Sequence, residues 1–156
     1  MTVDMKKNPP AAVVFDVFGT VVDWRTGIAR VVEARLKAQH PNIDGYAIAD
    51  AWRALYQPSM EAVRSGKRPW TILDALHRES LDALLPQFGL GHLSEADRIH
   101  LVEGWHHLPP WPDVTAGLAR LKAKYIIGPL SNGNVGLLTR MGKNSGLPWD
   151  VILGAE

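Results

Sequence analysis

Residues Ala11-Ala12-Val13-Val14-Phe15 form an apolar run that stops at Asp16, and Gly19 then lets the chain turn. A continuous run this short predicts a strand buried on both faces of a parallel sheet rather than a helix. A second run at 125–130, Tyr-Ile-Ile-Gly-Pro-Leu, has the same character and also ends in polar residues, Ser131-Asn132-Gly133-Asn134. A third, Val151-Ile152-Leu153, begins another strand. Between the first two the apolar period switches to that of a helix.

Helical stretches are predicted at about 26–39, with Ile28, Val31, Val32 and Leu36 on one face, and at about 44–65, where Pro58 should kink or break the helix. Pro69 is expected to open a third helix carrying Leu73, Leu76, Leu81, Leu84 and Leu85. Ser94 with Asp97 suggests a capping box for a fourth that ends near His106. The proline-rich stretch 108–113 reads as a boundary. Beyond it Val114, Leu118 and Leu121 mark one helix, and Val135, Leu138 and Met141 another. The whole is an α/β core, residues 1–21 and 109–156, interrupted by a helical block at 22–108. No internal repeat or low-complexity tract interrupts this pattern.

Open parallel sheets bind ligands at the carboxyl ends of their strands, so both polar clusters belong to one site. Asp16 has two readings there. It is a turn-forming carboxylate bonded to its own backbone, or a nucleophile fixed by a hydrogen bond from Thr20 beside turn N–H groups that can hold an anion. Ser131 and Asn132 likewise either cap the following helix or face the site.

Composition removes several function classes. A chain of 156 residues, 46% hydrophobic and 21% charged, has the makings of one packed domain and not of a disordered segment. At this length it buries roughly 70% of its unfolded surface. A net charge of +1 gives no electrostatic reason to expect nucleic acid or an anionic membrane as partner. The absence of cysteine excludes a disulfide framework, a thiolate zinc site and a cysteine nucleophile, and fits a cytoplasmic protein. The leading residues 1–10, with Lys6 and Lys7, precede too short an apolar run for a signal peptide or membrane helix. His100, His106 and His107 lack the i, i+4 spacing of a metal pair and read as a solvated helix end. Gly66-Lys67-Arg68-Pro69 reads as an exposed loop, and the six tryptophans as core packing.

Val14-Phe15-Asp16-Val17-Phe18-Gly19-Thr20 resembles the first motif of the haloacid dehalogenase superfamily, and Leu130-Ser131-Asn132-Gly133-Asn134 resembles its second. Trp52-Arg53 is similar to the cap helix of the L-2-haloacid dehalogenases. The resemblance implies a Rossmann-like core with a parallel sheet, of which about three strands are present, and an inserted helical cap. It further implies hydrolysis of L-2-haloalkanoic acids to D-2-hydroxy acids through an aspartyl ester on Asp16. Arg53 and Asn132 would then receive the departing halide. Ser131 and the N–H groups near Val17 and Phe18 would hold the substrate carboxylate, and Phe18 with Trp70 would form an apolar wall. Left to itself, Arg53 reads equally as a surface ion-pair partner and Trp70 as plain core.

Superfamily phosphatases carry a second Asp two residues after the nucleophile; this chain has Phe18 there, which argues against phosphate transfer and against a metal or other cofactor. The expected partners are a small 2-haloacid and halide, with a homodimer as the family's common assembly. The family's third motif, a lysine, and its acidic fourth motif would fall beyond Glu156, and Lys143 does not match the third. The chain therefore reads as C-terminally truncated, with an exposed sheet edge and lowered stability. Two alternatives stay open: a phosphatase- or phosphonatase-like hydrolase, and an inactive fragment acting as an interaction module.

Overall fold

The computed structural model describes residues 9–156, so the leading segment with Lys6 and Lys7 lies outside the described residues. Strand β1 (Ala12–Phe15) pairs in parallel with β2 (Ile126–Pro129), in a register that sets Ala12 against Ile126 and Phe15 against Pro129. Between them run α1 (Trp24–Leu36), α2 (Gly45–Ala54), α3 (Tyr56–Arg64), α4 (Leu73–Leu84), α5 (Glu95–Glu103) and α6 (Val114–Lys122); α7 (Val135–Asn144) follows β2. The architecture is an α/β fold that is mostly helical around a short parallel sheet.

Local chemistry places three of the seven α-helix starts among the described residues. Asp23 and Asp44 each accept an N–H of the first turn, from Thr26 and Ala47, and Ser94 with Asp97 forms the expected reciprocal capping box. One proline acts as expected and one does not. The stretch 44–65 is broken one turn ahead of Pro58, which becomes the third residue of α3, where an N–H would have no intrahelical partner. The break falls at Leu55, whose N–H bonds Trp52 O at 3.1 Å in a tighter turn. Pro69 stands ahead of α4, which begins at Leu73.

The third run does not form a strand of its own. Its backbone lies beside β2, with Asp150 N bonded to Ile127 O, Leu153 N to Pro129 O and Ser131 N to Leu153 O, yet only Leu130 and Leu153 make a parallel bridge. The ladder is interrupted because the Asp150 carboxylate takes the Ile127 N–H at 3.0 Å and Pro129 has no N–H to give. Nor is β1 buried on both faces. Val13 and Phe15 turn inward, whereas Val14 is 45% exposed, because no described layer covers that side of the sheet. The Gly66–Pro69 loop is largely exposed, as expected.

One continuous core runs from Val17, Val21 and Val22 through Ile28, Val32 and Leu36 to Trp52, Leu81, Leu101 and Trp105. Trp52 and Trp105 lie at its centre, but Trp70 and Trp111 are exposed, against the expectation that all the tryptophans pack inside. His106 also departs from expectation: it is buried rather than solvated, its Nε2 lying 3.0 Å from Asp74 Oδ1. Such a partner offsets part of the cost of burying a polar ring. The segments entering and leaving the helical block run side by side, with Asp23 N bonded to Pro109 O and Trp111 N to Val21 O. No helix among the described residues is long and apolar enough to cross a membrane.

Helices α1 and α2 approach so closely at Gly45 that a Cβ there would sit 2.4 Å from Ala29 O and 2.8 Å from Glu33 Cγ. A backbone oxygen cannot step aside as a side chain can. Gly45→Ala should therefore cost about 1–3 kcal/mol, read as a lower urea midpoint at unchanged slope.

Candidate active site

The carboxyl ends of β1 and β2 are tied together by Leu130 N donating to Phe15 O at 2.8 Å. Asp16 and Ser131 follow directly, so the two polar clusters share one end of the sheet. Beyond Asp16 the chain folds back on itself: Val21 and Val22 N–H groups both bond Val17 O, and Gly19 N bonds Val22 O. Gly19 takes φ +96°, a left-handed value that only glycine adopts without strain. The turn brings Thr20 Oγ1 within 2.7 Å of Asp16 Oδ2, to which it donates. Among the described residues that contact leaves Oδ1 as the free oxygen of an exposed carboxylate. Neither the Val17 nor the Phe18 N–H finds a backbone acceptor among the described residues.

Arg53 reaches this region from α2. Trp24 packs against Gly19, where a glycine Cβ would meet its Nε1 at 3.5 Å, and the Arg53 guanidinium lies 5.6 Å from the Trp24 ring. On its other side the Tyr56 ring lies 4.1 Å away, and Tyr56 Oη accepts from Asn132 Nδ2 at 2.7 Å. One run of contacts thus links Asp16, Thr20, Gly19, Trp24, Arg53, Tyr56 and Asn132. Ser131 Oγ accepts from Gly133 N at 3.3 Å, and the residue at the N-cap of α7 is Asn134, so neither Ser131 nor Asn132 caps that helix.

Phe18 packs edge-on to Trp105, with ring centroids 6.1 Å apart. Trp70, paired with Phe18 in the sequence reading, does something else: it is 59% exposed and lines an open cleft of 260 Å³ with Met60, Val63 and Asn132. The aromatic wall beside Phe18 comes instead from Trp105, which also stacks on Trp24 and on His77.

A second polar group braces the loop after β2. Asn134 Nδ2 donates to Asp74 Oδ2 at 3.1 Å, and His106 holds the other oxygen of that carboxylate. Burial pushes Asp74 up, but the bonds from His106 and Asn134 outweigh it and hold the carboxyl below its ordinary range. His77, nearby in α4, is pushed down to about 3 by burial and by the Arg53 charge, against the opposing pull of Asp74, so it is neutral at pH 7.

Tyr56, Trp24, Trp105 and Asp74 escaped the sequence reading. Only Tyr56 had a usable signal, since Arg53 and Tyr56 at i and i+3 share a helix face. Chemically, the arrangement offers a nucleophilic carboxylate oxygen, a cation held by aromatic faces and an amide, with an apolar surface between. Among the described residues no group of three or more His, Cys, Asp or Glu is gathered as a metal site.

Several known proteins share this arrangement of sequence and fold. The (S)-2-haloacid dehalogenase 1 of Pseudomonas sp. (strain CBS-3) is 32% identical over 131 residues, covering 81% of this chain and 53% of that protein. The crystal structure of a defluorinating L-2-haloacid dehalogenase superposes with a TM-score of 0.87 at 55% identity, covering 92% of this chain and 59% of that one. The L-2-haloacid dehalogenase from Xanthobacter autotrophicus with chloropropionic acid covalently bound gives 0.76 at 27% identity, covering 92% and 56%. The chain thus spans little more than half the length of these relatives. The family described as haloacid dehalogenase-like hydrolase matches residues 10–155, nearly the whole sequence, and this chain belongs to it.

Proposed function

We propose that the chain hydrolyses the carbon–halogen bond of L-2-haloalkanoic acids, yielding D-2-hydroxy acids through an aspartyl ester on Asp16. The observation that carries this reading is a pairing among the described residues: an Asp16 Oδ1 without a partner, its other oxygen held by Thr20, and an Arg53 with aromatic rather than acidic neighbours. Asp16 Oδ1 attacks C2 from the face opposite the halogen, the C–O bond forming as the carbon–halogen bond breaks with inversion. The halide leaves with the bonding pair toward Arg53 and the Asn132 amide. Water then adds to Cγ of the ester, the Cγ–O bond to the substrate breaks, and Asp16 returns as carboxylate while the hydroxy acid departs.

Ser131 and the unengaged N–H groups of Val17 and Phe18 suit the substrate carboxylate, and Phe18 against Trp105 keeps water from competing with the first step. Phe18 also weighs against a phosphatase, which needs a general acid at that position for its leaving alcohol. Halide leaves as a stable anion and needs none. The covalently bound chloropropionic acid of the Xanthobacter autotrophicus enzyme is consistent with such an ester.

Residues 22–108 serve in this reading as a cap, entered and left through the paired segments at Asp23–Pro109 and Val21–Trp111. Trp70 then borders the mouth of the site beside Asn132. A cytoplasmic homodimer is the matching state for a cysteine-free chain of this family.

Halide release from L- and D-2-chloropropionate tests the proposal directly. Release from the L-acid alone is expected. Equal release from both enantiomers, or phosphate release without halide, would sink it.

A further inference from the structure

Tyr56 touches both residues assigned above to the departing halide, yet no step of that mechanism uses it. It is the first residue of α3, directly after the break at Leu55, and is half-buried. Its ring lies 4.1 Å from the Arg53 guanidinium, and its hydroxyl accepts from Asn132 Nδ2 at 2.7 Å across the gap between α3 and the loop after β2.

Two features make this more than a packing contact. Arg53 is half-buried, yet no carboxylate among the described residues lies within ion-pair range of it, whereas Arg68, Arg78 and Arg98 each pair with one and the arginines that likewise lack one, Arg30, Arg120 and Arg140, are exposed. An aromatic face orients a guanidinium through cation–π attraction without neutralising it, so its N–H edge stays available to an anion. The amide of Asn132 has two N–H donors. With one committed to Tyr56 Oη, the direction of the other is fixed.

We propose that Tyr56 is a positioning residue that holds Arg53 and Asn132 at one spacing, ring against the guanidinium and hydroxyl against the amide, so that the two donors meet a halide as a pair. The halide part rests on the function proposed above; the spacing part rests on the contacts alone.

Two variants separate the ring from the hydroxyl. Tyr56→Phe keeps the stack on Arg53 and removes the acceptor for Asn132, and Tyr56→Leu removes both. Chloride titration of the full chain, followed by the NMR signals of Arg53 Nε–H and the Asn132 side-chain amide, reads the pair directly. In Tyr56→Phe the amide signal should move even without chloride, Arg53 should keep its ring-current shift, and chloride affinity should fall about five- to tenfold. In Tyr56→Leu the ring-current shift should vanish as well, with a larger loss of affinity.

With L-2-chloropropionate, kcat should fall about tenfold in Tyr56→Phe at nearly unchanged KM, a split that loss of packing alone does not produce. An unmoved Asn132 amide in chloride-free Tyr56→Phe, or unchanged chloride affinity and kcat, would overturn the proposal. A wild-type chain that neither binds chloride nor releases it would remove the halide role of Arg53 and Asn132. The spacing role would then be decided by the chloride-free spectra, a moved amide upholding it and an unmoved one refuting it.

Discussion

Asp16→Asn should abolish halide release from L-2-chloropropionate, lowering kcat by on the order of 10⁴-fold or more, equivalent to about 5 kcal/mol of barrier. The loss should be this large because the amide oxygen carries no full charge with which to displace a halide, and no other described carboxylate stands on the turn after β1. Thr20→Val should cost far less, about tenfold, since it removes only the hydrogen bond that fixes Oδ2. The order of the two effects matters as much as their size. A positioning role for Asp16, with water attacking substrate directly, would leave Asp16→Asn partly active. Single turnover in ¹⁸O-labelled water separates the two routes. Passage through the ester puts the label into the Asp16 carboxylate and leaves the first hydroxy acid unlabelled, whereas direct attack labels the product. Labelled product in the first turnover would refute the ester.

Much of this arrangement was legible in the sequence because it depends on local pattern. The runs ending at Asp16 and Ser131 became β1 and β2, and the capping box at Ser94 and Asp97 formed as read. Helix α7 follows the 3.6 period of Val135, Leu138 and Met141. What stayed hidden depends on what lies opposite. An apolar run announces that Val14 is hydrophobic but not whether a layer covers it, and here it stands 45% exposed. Pro69 looked like a helix start, yet α4 begins only at Leu73, because a proline's fixed φ suits an extended approach as well as a first turn. His106 carries no periodic signal, and its partner Asp74 is a helix away in sequence. The site divides in the same way. Asp16, Thr20, Ser131 and Asn132 sit in contiguous motifs, whereas Trp24, Tyr56 and Trp105 meet them only through the fold.

Between pH 6.5 and about 3 the folded chain should lose about 5 kcal/mol of stability through His77 alone. The ring is 5% exposed, stacked on Trp105 with centroids 4.2 Å apart, and Nδ1 has no hydrogen-bond partner among the described residues. Burial is the main reason its proton affinity drops; the Arg53 and His106 charges add to this, and Asp74 opposes them without prevailing. In the unfolded chain the same ring takes a proton near pH 6.5. The unfolded state therefore binds more protons throughout that interval, and stability, complete above pH 6.5, declines as pH falls toward 3 at about 1.4 kcal/mol per unit. Asp74 and the paired carboxylates Asp50, Glu79, Asp82, Glu95, Asp97 and Asp150 are all held below their ordinary range and add their losses toward the acid end, so the stretch just below pH 6.5 is the one His77 dominates. Urea unfolding across that stretch should show the slope in the wild type and lack it in His77→Phe, whatever offset the new ring introduces. An equal slope in both would assign the acid sensitivity elsewhere. The same burial serves the site, because a protonated His77 would set a second cation beside Arg53 and compete for any anion held there. Keeping His77 neutral leaves the guanidinium as the charge an anion meets.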